Sequence, residues 1–422
     1  MNETAAPGPT RREDSRPESP PPAHRWFGVA LLLFAALAFY FSVKPTQQHF
    51  DYTVRIAAAL LHGHLGLQNS PPSWLNEMVP RNGNYYSVFP LGAVLSLIPI
   101  ALLQGTGLVH NFPGRVVAAL IAGLCVYFFF QLSALEGKSL GRRVLLALFP
   151  IFGTWTWCNL GFSGAWHIAL GFALLGEIGA LYFVLVRQRP VLAGAFFALA
   201  FGSRTELILI LPIYLYLFVC PAGFEAAGWG SIKRRFQEKF PALIHFLVFP
   251  VALGVLTAAY NFARFHSVFE FGYSQIPKVL QEPWYQHGLF SLHAIPWNIH
   301  KMLFEGFGDI PDFPYFRLYP FGCSIFLASP FLFLLFREGG RYKVVSWFAI
   351  GVLSFVLWCH GNPGGWQFSY RYAIVLLPWM FLIIAGNGPA KISANEVALF
   401  AVSVAINAMA TYQFLWTNLI HP

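Results

Sequence analysis

The chain has 422 residues, of which 56% are hydrophobic, 18% aromatic and only 11% charged, with a formal net charge of +9. A soluble domain carries roughly 25% charged residues; this composition, with apolar runs of about 20 residues that can each cross ~30 Å of hydrocarbon, excludes an ordinary soluble enzyme and predicts an all-α integral membrane protein. The basic residues lie mainly in short connections between apolar runs, where they carry topology and give no reason to expect nucleic acid as a partner.

In chain order, residues 1–25 are rich in Pro, Ser, Glu and Arg and predict a disordered tail, not a secretory signal. Residues 26–43 form a first apolar span, and Arg11, Arg12, Arg16 and Arg25 ahead of it place the tail in the cytoplasm. The outer segment at about 44–89 opens with His49 and Asp51. There the spacing sets Asp51, Arg55 and His62 on one face of a helix and Tyr52, Ile56, Ala59 and Leu60 on another, as in a helix lying along the interface. Asp51 suits an N-cap as well as chemistry, and Arg55 four residues on either pairs with it or is a solvated surface charge. Asn82-Gly83 signals a type I′ hairpin turn between Met78-Val79 and Tyr85-Tyr86. The two tyrosines flank a sugar or belong to the interfacial aromatic belt. Glu77 is a second acid in this loop, ranked below Asp51, which follows the first span directly and is better fixed in depth.

Further spans are predicted at 114–135, 144–158, 163–186, 191–203, 206–220, 240–263, 320–336, 344–359, 370–386 and 395–416. The run 90–109 decides the topology. If it crosses completely, the later basic loops fall outside. If it enters and returns, or forms two short helices broken near Pro99, then 17 of the 27 basic residues lie on the cytoplasmic side, as the positive-inside tendency requires. The expectation is therefore one membrane domain, 26–422, of about eleven transmembrane helices plus a partial insertion, with interfacial helices in outer loops at about 44–89, 264–319 and 360–369. The Cys125, Cys158, Cys220, Cys323 and Cys359 side chains sit in or beside apolar runs without metal-ligand spacing and read as small core residues.

That topology gathers on one face the segment 44–89, the turn 203–206, the loop 264–319 and the segment 360–372. Arg204 at a helix junction and Arg371 at the start of a span place forked cations at headgroup depth; each is either an anion-binding candidate or a structural arginine snorkelling to the interface. Lys301, Arg264 and Lys278 are weaker candidates of the same kind. Residues 284–307 place Leu292, Ile295, Ile299 and Leu303 on one helical face, predicting an interfacial helix. His287, His293 and His300 lack the i, i+4 spacing of a metal site. A divalent metal held by Asp51 and another acid stays open, with no pattern that calls for it. His167 and Glu177 lie about three turns apart in one apolar run, His167 toward the outer end and Glu177 deeper as a protonated structural acid.

The order of DYTVRIAAALLHGHLGL, NGNYYSVFPLGAVLSLIP, FGSRTELILILP, YNFARFHSVFEFGY and GGWQFSYRYAIVLLPW along the chain resembles the GT-C superfamily of polytopic glycosyltransferases. Over about residues 26–390 it is most similar to bacterial relatives of the protein O-mannosyltransferases and the lipid A aminoarabinose transferases. The resemblance implies transfer of a sugar, with inversion, from a polyprenyl-phosphate donor to an acceptor outside the cytoplasm, at the outer face of a bacterial inner membrane. It implies an acid of the first outer loop as base, the position that Asp51 matches; Tyr52 stands where the best-known members have a second acid, which leaves the acceptor class open. On this expectation Arg204, Arg371 and Lys301 meet the donor phosphate, and Arg55, Tyr85, Tyr86, His167, Trp366 and Tyr370 line the substrate. No nucleotide cofactor is required. A transporter or lipid flippase, which would show inverted halves absent from this sequence, and a noncatalytic scaffold of the same fold are the alternatives.

Overall fold

The computed structural model describes residues 22–45, 50–72, 77–223, 229–309 and 316–420. His49 and most of the N-terminal tail lie outside the described residues. Sixteen α-helices, short 3-10 segments and two small hairpins make up the described secondary structure, an all-α fold. In chain order these are α1 (Pro22–Ser42), α2 (Tyr52–Leu61), β1 (Met78–Arg81), β2 (Asn84–Ser87), α3 (Leu91–Leu95), α4 (Ile98–Gly105), α5 (Gly114–Leu132), α6 (Leu140–Phe152), α7 (Thr156–Gly161), α8 (Ala165–Leu185) and α9 (Pro190–Ser203). After them come α10 (Leu211–Val219), α11 (Trp229–Phe265), α12 (Ile295–Ile299), β3 (Gly308–Asp309), β4 (Phe316–Arg317), α13 (Ile325–Ala328), α14 (Lys343–Cys359), α15 (Leu377–Asn387) and α16 (Ala394–Trp416).

Four helices among the described residues are long and apolar enough to cross a membrane: Gly114–Glu136, Ala165–Leu185, Gly230–Phe265 and Ala394–Trp416. The expected count of about eleven is corrected accordingly. Proline is the physical cause in several places, because it cannot donate to the preceding turn and suits the first turn of a new helix. The run 206–220 opens as the 3-10 segment Thr205–Ile210 and restarts at α10 with Pro212 in its first turn. Likewise 370–386 divides into Arg371–Leu376 and α15 at Pro378, and 320–336 into α13 and Pro330–Phe336. The run 90–109 is two short helices, α3 and α4, separated at Ser96-Leu97 just ahead of Pro99.

One continuous apolar core reaches from Leu31 to Ile420. The most extensive helix pairings are α8 with α9 and α1 with α5, then α11 with α9. Small residues let the backbones close up, as in helix pairs where dispersion must replace the hydrophobic effect. A Cβ on Gly176 of α8 would lie 2.5 Å from Ala200 N of α9, and one on Gly92 of α3 would lie 2.5 Å from Gly202 Cα.

The two ends of the bundle differ in chemistry. At one end, Arg142 is fully buried and donates to Glu396, to Ala385 O at 3.2 Å and to Ile384 O at 2.9 Å. Arg337 reaches the same carboxylate at 2.9 Å, Arg341 pairs with Glu136 at 3.1 Å, and Lys138 donates to Gly388 O at 2.7 Å. Ser393 and Glu396 close a capping box at the start of α16. At the other end lie the α8 N-terminus, the α9 C-terminus, α2 and the first hairpin.

Candidate functional site

Asp51 stands at the N-cap position of α2 but makes no side-chain cap bond. Its Oδ1 instead accepts from Arg55 Nε at 2.7 Å, with the Asp51 side chain 19% exposed and that of Arg55 41% exposed. The helix is as the apolar spacing predicted for Tyr52 and Ile56, both buried; Ala59 and Leu60 are only half-buried. Phe50 O accepts from Ala165 N at 2.8 Å, so the residue ahead of Asp51 is tied to the first residue of α8.

The next two residues of α8 extend the site. Trp166 stacks on Phe89 with ring centres 3.9 Å apart and donates its indole N–H to Glu77. Burial raises the Glu77 carboxyl above its usual range, and the Trp166 hydrogen bond and the charge of Arg371 act in the opposite direction. Glu77 is held in place by the hairpin that follows it, whose register pairs Arg81 with Asn84 and leaves Asn82 and Gly83 as a two-residue turn with φ of 50° and 75°, as expected for type I′. His167 has Arg371 and the Trp366 backbone as electrostatic neighbours. Its Nε2 is buried without a hydrogen-bond partner among the described residues.

Two arginines share one aromatic ring. The guanidinium carbons of Arg204 and Arg371 lie 4.7 and 5.1 Å from the centre of the Tyr372 ring. Arg204 is bound to Glu206 at 2.6 Å. Arg371 is only 8% exposed, touches the Tyr372 hydroxyl at 3.3 Å, and has no ion-paired carboxylate among the described residues; its Nε is buried without a partner. Beside this ring is a cavity of about 250 Å³ whose walls include Arg204, Glu206 and His360 on the polar side and Ile208, Leu209 and Leu357 on the apolar side. His360 Nδ1 lies 2.7 Å from Asn362 O, and burial lowers the imidazole below its usual range, favouring the neutral ring.

The other expected lining residues divide. Trp366 joins the group through His167 and packs its ring 5.2 Å from Phe414. Tyr370 is fully buried, its hydroxyl 2.9 Å from Asn298 Oδ1 and 3.2 Å from Leu357 O, so it braces the wall and does not line it. Lys301 is paired with Glu305 and lies over the Trp297 ring, whereas the two arginines meet at Tyr372. Tyr85 sits in the β2 ladder with its backbone paired to Leu67, while Tyr86 packs 5.8 Å from Phe265. Arg264 is a strut, donating to Ser87 O at 2.5 Å and Asn261 Oδ1 at 2.8 Å. The predicted helix over 284–307 is broken into 3-10 turns, α12 and the π-helical His300–Phe304. Glu177 is fully buried; its Oε1 accepts from Trp379 Nε1 at 3.1 Å, and its Oε2 has no hydrogen-bond partner among the described residues.

The structure adds Glu77, bound to Trp166, to the group around Arg371, and brings in Glu206, His360 and Tyr372, which the sequence did not single out. The last three belong to the segments 203–206 and 360–372 already marked as outer, so their position was the available signal. No three His, Cys, Asp or Glu side chains gather as a metal group among the described residues. Comparison with protein-family models, curated proteins and solved structures finds no match to this chain.

Proposed function

We propose that the protein is a membrane glycosyltransferase that moves a sugar from a polyprenyl-phosphate donor to an acceptor outside the cytoplasm, with inversion. The observation that carries this reading is Arg371: a cation taken out of water without a paired carboxylate is costly, and an anionic headgroup supplies the missing partner. Arg204 on the same Tyr372 ring gives a second fork for phosphate oxygens. The apolar wall formed by Ile208, Leu209 and Leu357 suits the first part of a lipid chain. In this reading the shorter apolar stretches at 26–43, 144–158, 191–203, 206–220, 320–336, 344–359 and 370–386 also cross the bilayer, several as composite 3-10 and α spans, beside the four long helices. With 90–109 as a partial insertion, the tail is cytoplasmic and the site faces the outer side of a bacterial inner membrane.

In the reaction an acceptor oxygen attacks the anomeric carbon as the bond from that carbon to the phosphate oxygen breaks. Asp51 takes the acceptor proton, a role that contributes roughly 10²- to 10⁴-fold. The electron pair of the broken bond leaves on the lipid phosphate, where Arg371 and Arg204 stabilise it. The test is sugar transfer from a radiolabelled polyprenyl-phosphate sugar by the reconstituted protein. Asp51→Asn is expected to lose at least a hundredfold in rate while inserting normally; an unchanged rate moves the base elsewhere, with Glu77 next in line. Phosphate-lipid movement across the bilayer without any transfer would instead favour a flippase.

A further inference from the structure

We propose that a second cavity on this face, beside the cation pocket, binds one sugar ring of a saccharide acceptor; the acceptor role rests on the sugar-transfer reading above, the ring-binding chemistry does not. The cavity holds about 240 Å³ and is lined in part by Trp284, His287, Ser291, His293, Trp297 and Gly361. That is below the ~300–1,000 Å³ typical of drug-sized ligand sites, a scale that suits one ring.

The lining has the chemistry of a neutral sugar. A pyranose presents an apolar C–H face and a hydroxyl edge. Trp284 and Trp297, each 48% exposed, offer indole surface to the face. The His287 and His293 rings, stacked with centres 4.4 Å apart, and the Ser291 hydroxyl, 3.3 Å from His293 Nδ1, offer donors and acceptors to the edge. Among the described residues no Asp, Glu, Lys or Arg lines the cavity; Lys301, 5.0 Å from the Trp297 ring centre, is paired with Glu305. A phosphorylated acceptor therefore finds no Lys or Arg fork in it.

The walls are fixed. Ser291 N donates to Cys359 O at 2.7 Å and Gly361 N to Leu289 O at 2.8 Å, around the Phe290–His360 bridge. Buried Asn298 donates to Trp358 O at 3.0 Å and His360 O at 2.8 Å, and is itself held by Tyr370. These bonds use the backbone groups that an added peptide strand would need, which disfavours an extended protein acceptor. A side chain at Gly361 would meet Trp284 O at 2.8 Å, so the floor requires glycine. Phe290 and His360 of the same bridge line the cation pocket, so one thin partition separates the two cavities. An acceptor sugar and a donor headgroup could thus be held side by side.

The test uses the full-length protein in nanodiscs. Saturation-transfer NMR titrations with the methyl pyranosides of glucose, mannose, galactose and N-acetylglucosamine read the second cavity, and native mass spectrometry with undecaprenyl phosphate reads the first. At least one glycoside is expected to bind in the millimolar range. Trp297→Ala and Trp284→Ala should each weaken it about tenfold, as stacking contacts of this kind imply; Trp297→Phe should stay within about threefold, and Arg371→Ala should leave it unchanged. Binding of none of the four, or equal binding by the alanine variants, overturns the proposal. Lipid-phosphate binding without glycoside binding removes only this cavity's role, whereas glycoside binding without lipid-phosphate binding removes the transferase reading and leaves a saccharide site.

Discussion

Replacing Glu396 by alanine tests how the end of the bundle opposite the site is held. Arg142 and Glu396 are both fully buried, joined at 3.1 Å, and Arg337 shares the carboxylate at 2.9 Å. Removing one member of a buried pair typically costs about 3–5 kcal/mol, since the other charge stays buried without its partner. Arg142 would keep the Ala385 and Ile384 carbonyls, and Arg337 is partly exposed, so the low end of that range applies. Loss of the Glu396 half of the capping box with Ser393 adds a smaller cost. For a long chain at ~2 °C per kcal/mol, about 3 kcal/mol lowers Tm by roughly 6 °C. Thermal unfolding of the purified protein followed by intrinsic fluorescence should show that drop for Glu396→Ala. The double variant Arg142→Met with Glu396→Leu should lie much closer to the parent, because two apolar side chains leave no buried charge. A Tm for Glu396→Ala within about 1 °C of the parent would refute the reasoning.

Glu77 carries a pH signature. Its folded-state value lies above the usual carboxylate range because of burial, so the folded chain binds the proton more tightly than the unfolded chain, and stability falls as pH rises through the window between the two values. Glu77→Gln keeps an acceptor for Trp166 but cannot ionise; its Tm advantage should grow from pH 4.5 to 7.5, and parallel curves would remove the linkage. Gly92→Ala should cost about 1–3 kcal/mol, the price of overpacking, because its Cβ would meet Gly202 Cα at 2.5 Å; the denaturation midpoint of the purified variant reads this, and an unchanged midpoint would mean that α3 moves freely off α9.

Local signals survived into the structure. Asn82-Gly83 formed its two-residue turn because both residues tolerate positive φ, and the run 90–109 broke where Pro99 denies a hydrogen bond to the preceding turn. Apolar length alone misled on the number of long unbroken helices, since hydropathy does not register the restarts at Pro212, Pro330 and Pro378. The site was legible as a set of segments more than as a set of residues. Trp166 is 89 positions from Glu77, and no spacing rule pairs them; the Lys301–Glu305 pair, by contrast, has the i, i+4 spacing of ordinary helix pairs and was readable from the sequence. Tyr370 was placed in the right segment but on the inner side of its wall, because the partner that turns it inward, Asn298, belongs to a distant helix.

The central claim concerns the charge on Arg371, and the most direct measurement is the affinity of the nanodisc-embedded protein for undecaprenyl phosphate, compared with its dephosphorylated alcohol. The parent is expected to prefer the phosphate by at least tenfold, with Arg371→Ala losing that preference and Arg204→Ala reducing it, as charge-assisted bonds of this kind require. Equal affinity of the parent for phosphate and alcohol, or a preference untouched by Arg371→Ala, would contradict it.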